Sequence, residues 1–132
     1  MKIKGRAISN GKAEGEALVS RESISFLGEV DTKTGMVINP KHPLFNKCIA
    51  GKVLVFPRGR GSTVGSYAMY QLKKNGKAPK AIINEEAEVI VAVGAIISEI
   101  PMVDKLEKGF KLIKNGSKVV VDGNRGIVEV LR

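Results

Sequence analysis

The chain is poor in the residues that build metal centres and disulfides, with one cysteine, Cys48, one histidine, His42, and no tryptophan. One cysteine excludes an intramolecular disulfide and is too few for an iron–sulfur cluster, so we expect this chain to bind no metal or cofactor of its own. The longest apolar stretch, residues 89–98, is far shorter than the roughly 20 residues of a membrane-spanning helix. No charged leader followed by an apolar segment opens the sequence, and we therefore expect a cytoplasmic protein without a membrane partner.

Negative charge is also scarce, because 13 Asp and Glu stand against 22 Lys and Arg, which gives a formal net charge of +9. The lysines are scattered singly or in pairs, and few aromatic residues are present for base stacking. This distribution indicates a basic solvated surface, and we expect no nucleic-acid partner. A length of 132 residues with 43% hydrophobic residues predicts one domain over residues 1–132.

The first third of the chain is rich in turn signals. Alternating polar and apolar residues over 1–20 predict two strands joined as a β-hairpin by Asn10-Gly11, and residues 24–27 predict a short strand. Residues 28–43 then form a long connection, of a kind that is often functional in compact domains. We expect Gly28, Asp31 and Gly35 in this loop to close a site or contact a partner; a plain surface loop is the alternative.

The middle of the chain predicts a β-loop-α-β unit. Residues 52–56 form a buried strand, a helix capped by Ser62 follows, and residues 81–83 form a second strand parallel to the first. Residues 84–93 are interpreted as a helix, although their β-branched side chains leave a strand open. Residues 101–103 predict a short edge strand. The fold class is therefore α/β, rich in strands, with hairpins at both termini.

A second hairpin is predicted at the carboxyl end, where residues 118–122 and 126–131 form two apolar, β-branched runs. The intervening residues 122–126, Asp-Gly-Asn-Arg-Gly, are a strong turn signal.

The turn Arg58-Gly59-Arg60-Gly61-Ser62 is the segment most suited to chemistry. It joins a strand to a helix amino terminus, where backbone N–H groups and the helix dipole favour an anion. The glycines let the backbone approach a ligand, and the arginines can bind a carboxylate or phosphate. Ser62 is either a helix cap or a base whose alkoxide this positive field stabilises. His42, between Lys41 and Pro43, is expected at the surface.

Three segments together resemble the small subunits of the aconitase X family. They are residues 57–67, which contain the arginine-glycine turn, residues 26–35, and residues 94–101. The resemblance covers essentially the whole chain and implies a swivelling β/β/α domain like that of aconitase. In that fold a serine of a Gly-Ser turn is the catalytic base, and Ser62 takes this position.

The resemblance also implies an activity and a partner. The activity is dehydration of 5-phosphomevalonate to trans-anhydromevalonate 5-phosphate in the archaeal mevalonate route. Ser62 would be the proton acceptor, and the substrate-binding residues would be Arg58, Gly59, Arg60, Gly61 and Thr63. A large aconitase-X-type subunit would carry a 4Fe-4S cluster and complete the active site. The alternatives are a noncatalytic anion-binding module and a dehydratase subunit for another hydroxy acid.

Overall fold

The structure, a computed structural model, describes residues 1–60 and 64–131. Eight strands and three helices lie in this part of the chain. Their bounds in chain order are β1 (Lys2–Lys4), β2 (Arg6–Ser9), β3 (Lys12–Val19), α1 (Phe26–Glu29), β4 (Val53–Phe56), α2 (Gly65–Lys74), β5 (Ala81–Asn84), α3 (Val89–Ile97), β6 (Met102–Asp104), β7 (Lys118–Asp122) and β8 (Ile127–Val130). Of the helices in these ranges, none is long and apolar enough to cross a bilayer.

The strands pair in the order β1-β8-β7-β3-β4-β5-β6-β2. β3 pairs with an antiparallel strand on one side and a parallel strand on the other. The first part of β3 pairs antiparallel with β7, from Lys12 opposite Asp122 to Glu16 opposite Lys118. Its last residues, Ala17, Leu18 and Val19, pair in parallel with β4. The long strand β3 thus connects an antiparallel carboxyl-terminal hairpin to a parallel central unit.

The central β-loop-α-β prediction is confirmed. β4 and β5 are parallel, with Val53 opposite Ala81 and Phe56 opposite Asn84, and α2 lies between them in the chain. Every residue of both strands is buried, as expected for parallel strands covered on both faces. The predicted mixed α/β class with many strands is confirmed as well.

Successive side chains of β4 and β5 point to opposite faces of the sheet, so each strand contributes to two hydrophobic cores. Leu54, Phe56 and Ile82 point to one face of the sheet, where α2, α3 and the segment around α1 pack. Val55 and Ile83 point to the other face and pack with residues of β6, β7 and β8. The carboxyl ends of β4 and β5 are therefore held from both sides, which fixes where the following turns begin.

The amino-terminal hairpin prediction is wrong, although the carboxyl-terminal one is confirmed by the antiparallel pairing of β7 with β8. β1 pairs with β8, and β2 pairs with β6, so neither pairs with β3. Gly11 donates its N–H to Asn124 Oδ1 at 3.0 Å, which directs the chain toward the distant hairpin. Alternation identified the strands correctly, but their partners lie about a hundred residues away.

Residues 24–27 do not form a strand. Ile24 makes an isolated bridge to Gly59, and the chain then turns into the short helix α1. The turn closes because the Glu29 N–H donates to the Ser25 carbonyl at 2.9 Å and the Glu29 carboxylate accepts the Ser25 N–H at 2.9 Å.

The predicted helix after β5 is confirmed, but it begins at Val89 and continues to Ile97. The Glu88 carboxylate caps it by accepting the N–H groups of Ile90 at 3.0 Å and Val91 at 3.3 Å. β6 is not an edge strand, because it lies between β5 and β2.

His42 is buried, contrary to the surface position expected for it. Its Nδ1 accepts the Leu44 N–H at 3.1 Å, so Nε2 carries the proton and donates it to the Ser23 carbonyl at 3.0 Å.

The turn between β7 and β8 can be tested through Gly123, whose N–H donates to the Gly11 carbonyl at 2.7 Å. A Cβ at this position would overlap the Ser9 carbonyl oxygen, so Gly123→Ala should lower the free energy of unfolding by about 1–3 kcal/mol. Gly28→Ala is the matched control, because its Cβ would meet only Ser25 Oγ at 3.9 Å. Equal urea midpoints for the two variants would contradict this account of the turn.

Candidate active site

The candidate site lies beyond the carboxyl end of β4, where Pro57 ends the strand and Arg58, Gly59 and Arg60 follow. This is the edge at which open α/β sheets usually bind ligands. Three of the predicted site residues, Gly61, Ser62 and Thr63, lie outside the described residues, as does the predicted Ser62 helix cap. The structure defines their surroundings through the residues on either side.

The beginning of the turn is held by a backbone bridge to the segment before α1. The Ile24 N–H donates to the Arg58 carbonyl at 3.3 Å, and the Arg60 N–H donates to the Ile24 carbonyl at 3.1 Å. Ile24 is itself buried in the core, so it anchors the turn to a fixed part of the protein.

The Arg60 side chain is held by two partners on the same segment. Its Nε donates to Ser23 Oγ at 2.8 Å, and its terminal nitrogen donates to Glu29 Oε2 at 2.5 Å. The side chain remains 49% exposed, so the guanidinium is fixed in direction while part of it still faces solvent. Arg60 therefore provides a positive charge with a set position.

Glu29, which sequence reasoning did not single out, organises this cluster. Its buried carboxylate accepts hydrogen bonds from the Ser25 N–H at 2.9 Å, from Asn39 Nδ2 at 2.7 Å and from Arg60. Burial alone would raise the pKa of Glu29, but these hydrogen bonds and the Arg60 charge outweigh burial and hold the pKa below its ordinary value. Glu29 is therefore ionised at neutral pH. The sequence feature that could have identified Glu29 is its position inside the loop that was predicted to be functional.

Arg58 differs from Arg60. Its side chain is exposed and, within residues 1–60 and 64–131, forms no hydrogen bond or ion pair. No described residue therefore occupies its donors, which can bind an anion from outside the chain. Among the described residues, Arg60 has partners that fix its position and Arg58 has none.

Gly59 is buried beneath α3. A Cβ at this position would overlap Val91 Cγ2 and lie 3.2 Å from Glu88 Oε1. The absence of a side chain at Gly59 makes room for the first turn of α3, on the face where we expected a ligand to approach. The ligand-binding role of Gly59 stays a prediction.

Residues at the end of β5 hold the start of the turn by hydrogen bonds to the end of β4. Asn84 is completely buried, and its Nδ2 donates to the Phe56 carbonyl at 3.0 Å. The next residues, Glu85 and Glu86, donate their N–H groups to the Pro57 carbonyl at 2.9 and 3.3 Å. The direction in which the chain leaves β4 is consequently fixed by β5.

The predicted closing loop is divided between two places. Gly28 lies in α1, next to Glu29 and thus close to the turn. Asp31 and Gly35 instead close a turn of their own, with a Gly35 N–H to Asp31 carbonyl bond of 2.8 Å. That turn contacts the carboxyl end of α2, where Asn75 Nδ2 donates to the Thr32 carbonyl at 2.7 Å. The Asp31–Gly35 turn therefore lies at the end of α2 opposite to Gly65, where that helix begins.

The residues present do not fit a cluster or a metal ion. An iron–sulfur cluster takes several thiolates, and this chain has only Cys48, whose sulfur lies 3.5 Å from the Thr34 carbonyl at the far end of α2. Over the described ranges no group of three metal-binding side chains comes together.

Comparison with known proteins gives consistent matches along the chain. A family model described as the aconitase X swivel domain matches residues 2–130. The phosphomevalonate dehydratase small subunit of Methanosarcina acetivorans is 64% identical, covering 100% of this chain and 92% of the relative. The same-named protein of Thermococcus kodakarensis is 60% identical, covering 99% and 97%. The crystal structure of Thermococcus kodakaraensis aconitase X, holo-form, superimposes with a TM-score of 0.96 at 59% identity, covering 100% and 99% of the two chains.

The lowered pKa of Glu29 predicts a defined pH dependence. Glu29→Gln should lower the free energy of unfolding by about 1–3 kcal/mol at neutral pH, because a charge-assisted bond to Arg60 is lost. Since the folded pKa lies below the ordinary value of 4.5, this difference is complete above pH 4.5 and shrinks as pH falls through the folded pKa. Urea unfolding of wild type and variant at several pH values measures it.

The matched control is Glu107→Gln, which changes an exposed glutamate. It should leave the urea midpoint at neutral pH equal to that of wild type. A Glu29→Gln difference that stays constant down to acid pH would show that the carboxylate is not held ionised in the folded protein.

Proposed function

The chain belongs to the aconitase X swivel-domain family, and from this premise we propose that it is the small subunit of a phosphomevalonate dehydratase. The enzyme would remove water from (R)-5-phosphomevalonate to give trans-anhydromevalonate 5-phosphate, a step of the archaeal mevalonate pathway. The observation that carries the proposal is the match, over nearly the full length of both chains, to archaeal proteins named for this activity.

Ser62 is the proposed base. Its oxygen removes a proton from the carbon next to the substrate carboxylate, the C–H electron pair forms the new double bond, and the hydroxyl leaves from the adjacent carbon. A serine can do this only where its alkoxide is stabilised. Arg58 and Arg60 precede Ser62 in the chain, and the amino terminus of α2, which begins at Gly65, follows it, so positive charge and a helix dipole lie on either side of it in the sequence.

The two arginines take different parts in the proposal. The exposed Arg58 binds an anionic group of the substrate with its available donors. Arg60, held by Glu29 and Ser23, supplies a fixed charge that becomes more favourable as negative charge develops on the substrate carboxylate. Backbone groups of Gly59, Gly61 and Thr63 complete the anion site.

The other half of the site belongs to a large subunit. Because this chain cannot ligate a cluster, the 4Fe-4S cluster is proposed in that subunit, where it would act as a Lewis acid toward the leaving hydroxyl. We place the complex in the cytoplasm, without membrane or nucleic-acid partners.

The base assignment predicts that Ser62→Ala lowers turnover about a hundredfold to ten-thousandfold, the usual contribution of a positioned base. The assay combines this chain with its large subunit under anaerobic conditions and follows product by mass spectrometry. Ser117→Ala, far along the chain in the segment before β7, is the control and should retain full turnover. Undiminished turnover by Ser62→Ala in an intact complex would overturn the assignment. A stable wild-type complex that leaves 5-phosphomevalonate unchanged would redirect the search to other hydroxy acids.

The different environments of the two arginines predict different effects of two matched substitutions on stability. Arg58→Gln should lower kcat/KM at least about tenfold and leave the urea midpoint unchanged, since no described residue depends on this side chain. Arg60→Gln should lower the urea midpoint as well, because it removes the charged partner of buried Glu29. Equal stability losses in both variants would contradict the distinction.

A further inference from the structure

The helix α3 presents an apolar surface to solvent. Its nine residues, Val-Ile-Val-Ala-Val-Gly-Ala-Ile-Ile, include no polar side chain. Four of them are exposed and form what we term the α3 face: Val89 at 71%, Val93 at 43%, Ile96 at 54% and Ile97 at 52%. A helix at a protein surface normally carries polar residues on its outer side, and one that is apolar all round is normally buried.

The residues of the α3 face lie on one side of the helix. Relative to Val89, the others follow at four, seven and eight positions, which is the spacing of a single helical stripe. Scattered apolar residues on a surface are ordinary, but a continuous stripe marks an interaction site.

The stripe is preformed, because the opposite side of α3 packs tightly on α2. A Cβ at Gly94 would lie 3.1 Å from Met69 Sδ and 3.2 Å from Ser66 Cα, so the two helices approach closely. Val91 and Ala95 are buried in the same contact region. The α3 face therefore cannot turn inward to cover itself.

The α3 face adjoins the candidate active site. Val91, on the first turn of α3, occupies the space beside Gly59, and Glu88 lies against the same glycine. From there the nine-residue helix extends about 13 Å at 1.5 Å per residue. A second chain that binds around Arg58 to complete the site would therefore also cover the α3 face if its contact surface continued along the length of this helix.

The glutamates near α3 in the sequence do not give the helix an acidic border in the fold. Residues 85–100 contain no lysine or arginine. The charge of Glu86 nevertheless acts on Arg6, and Glu99 lines a surface pocket together with Lys12, Lys73 and Lys80. The feature that a partner must match is therefore the apolar stripe itself.

We infer that the α3 face is the docking surface for the large subunit, which receives it in an apolar groove. The inference rests on the proposed function, since it identifies where the subunit that completes the Ser62 site binds. The contact of Glu88 and Val91 with Gly59 identifies the partner, and burial of four branched side chains supplies the association energy.

Val93→Lys tests the centre of the stripe, because it would bury a charge against the apolar groove. It should weaken binding to the purified large subunit at least about tenfold. Leu112→Lys is the matched control, since Leu112 is 38% exposed and lies in the segment between β6 and β7, and its affinity should equal that of wild type. The double variant Ile96→Gln, Ile97→Gln repeats the test without a charge. Thermal unfolding of each chain alone verifies folding.

The outcomes separate this inference from the proposed function. Wild-type binding and dehydration, with folded α3 variants that bind as tightly as the control, would overturn the α3 surface while leaving the dehydratase in place. A wild-type chain that binds no large subunit would overturn both. A sedimentation result showing a dimer of this chain that Val93→Lys dissociates would assign the surface to a second copy and so overturn the inference.

Discussion

The geometry of the site depends on one buried carboxylate, that of Glu29. Removing a charge from water costs several kcal/mol, and the cost is offset only when the charge meets enough donors. Here the donors are the Ser25 N–H, Asn39 and Arg60, which come from three different segments. Their convergence fixes α1, the loop that follows it and the turn after β4 relative to one another. Without this carboxylate, the Arg60 side chain would keep only its hydrogen bond to Ser23 Oγ.

Because Glu29 fixes Arg60, the two arginines of the turn acquire different properties from nearly identical local sequence. Arg60 has a set position and a partly neutralised charge, whereas Arg58 forms no hydrogen bond or ion pair with the described residues. A fixed charge costs no reorganisation when negative charge develops on a bound molecule, and a mobile one can follow a substrate as it enters. In the proposed enzyme, the turn would combine preorganised stabilisation of negative charge with adaptable binding of the substrate.

Sequence patterns predicted the elements whose contacts are local and failed where the partners are distant. The parallel unit and the carboxyl-terminal hairpin follow from buried β-branched runs and a strong turn signal, and both are confirmed. The amino-terminal strands were recognised but paired wrongly, because alternation shows that one face is buried without showing against what. Glu29 and His42 were missed as structural residues for the same reason, since their partners, among them Arg60 and Ser23, are remote in sequence.

The composition of α3 follows from two demands on a single helix. Its β-branched residues favour strands, so the helix depends on the Glu88 cap and on packing against α2. The outer residues take no part in that packing, and polar residues there would serve an isolated chain equally well or better. At about 25 cal/mol per Å² of apolar area removed from water, the exposed part of their side chains contributes to stability only after a partner covers it. An apolar outer stripe beside the candidate active site is what a subunit would need if its assembly and its catalytic competence were to depend on the same contact.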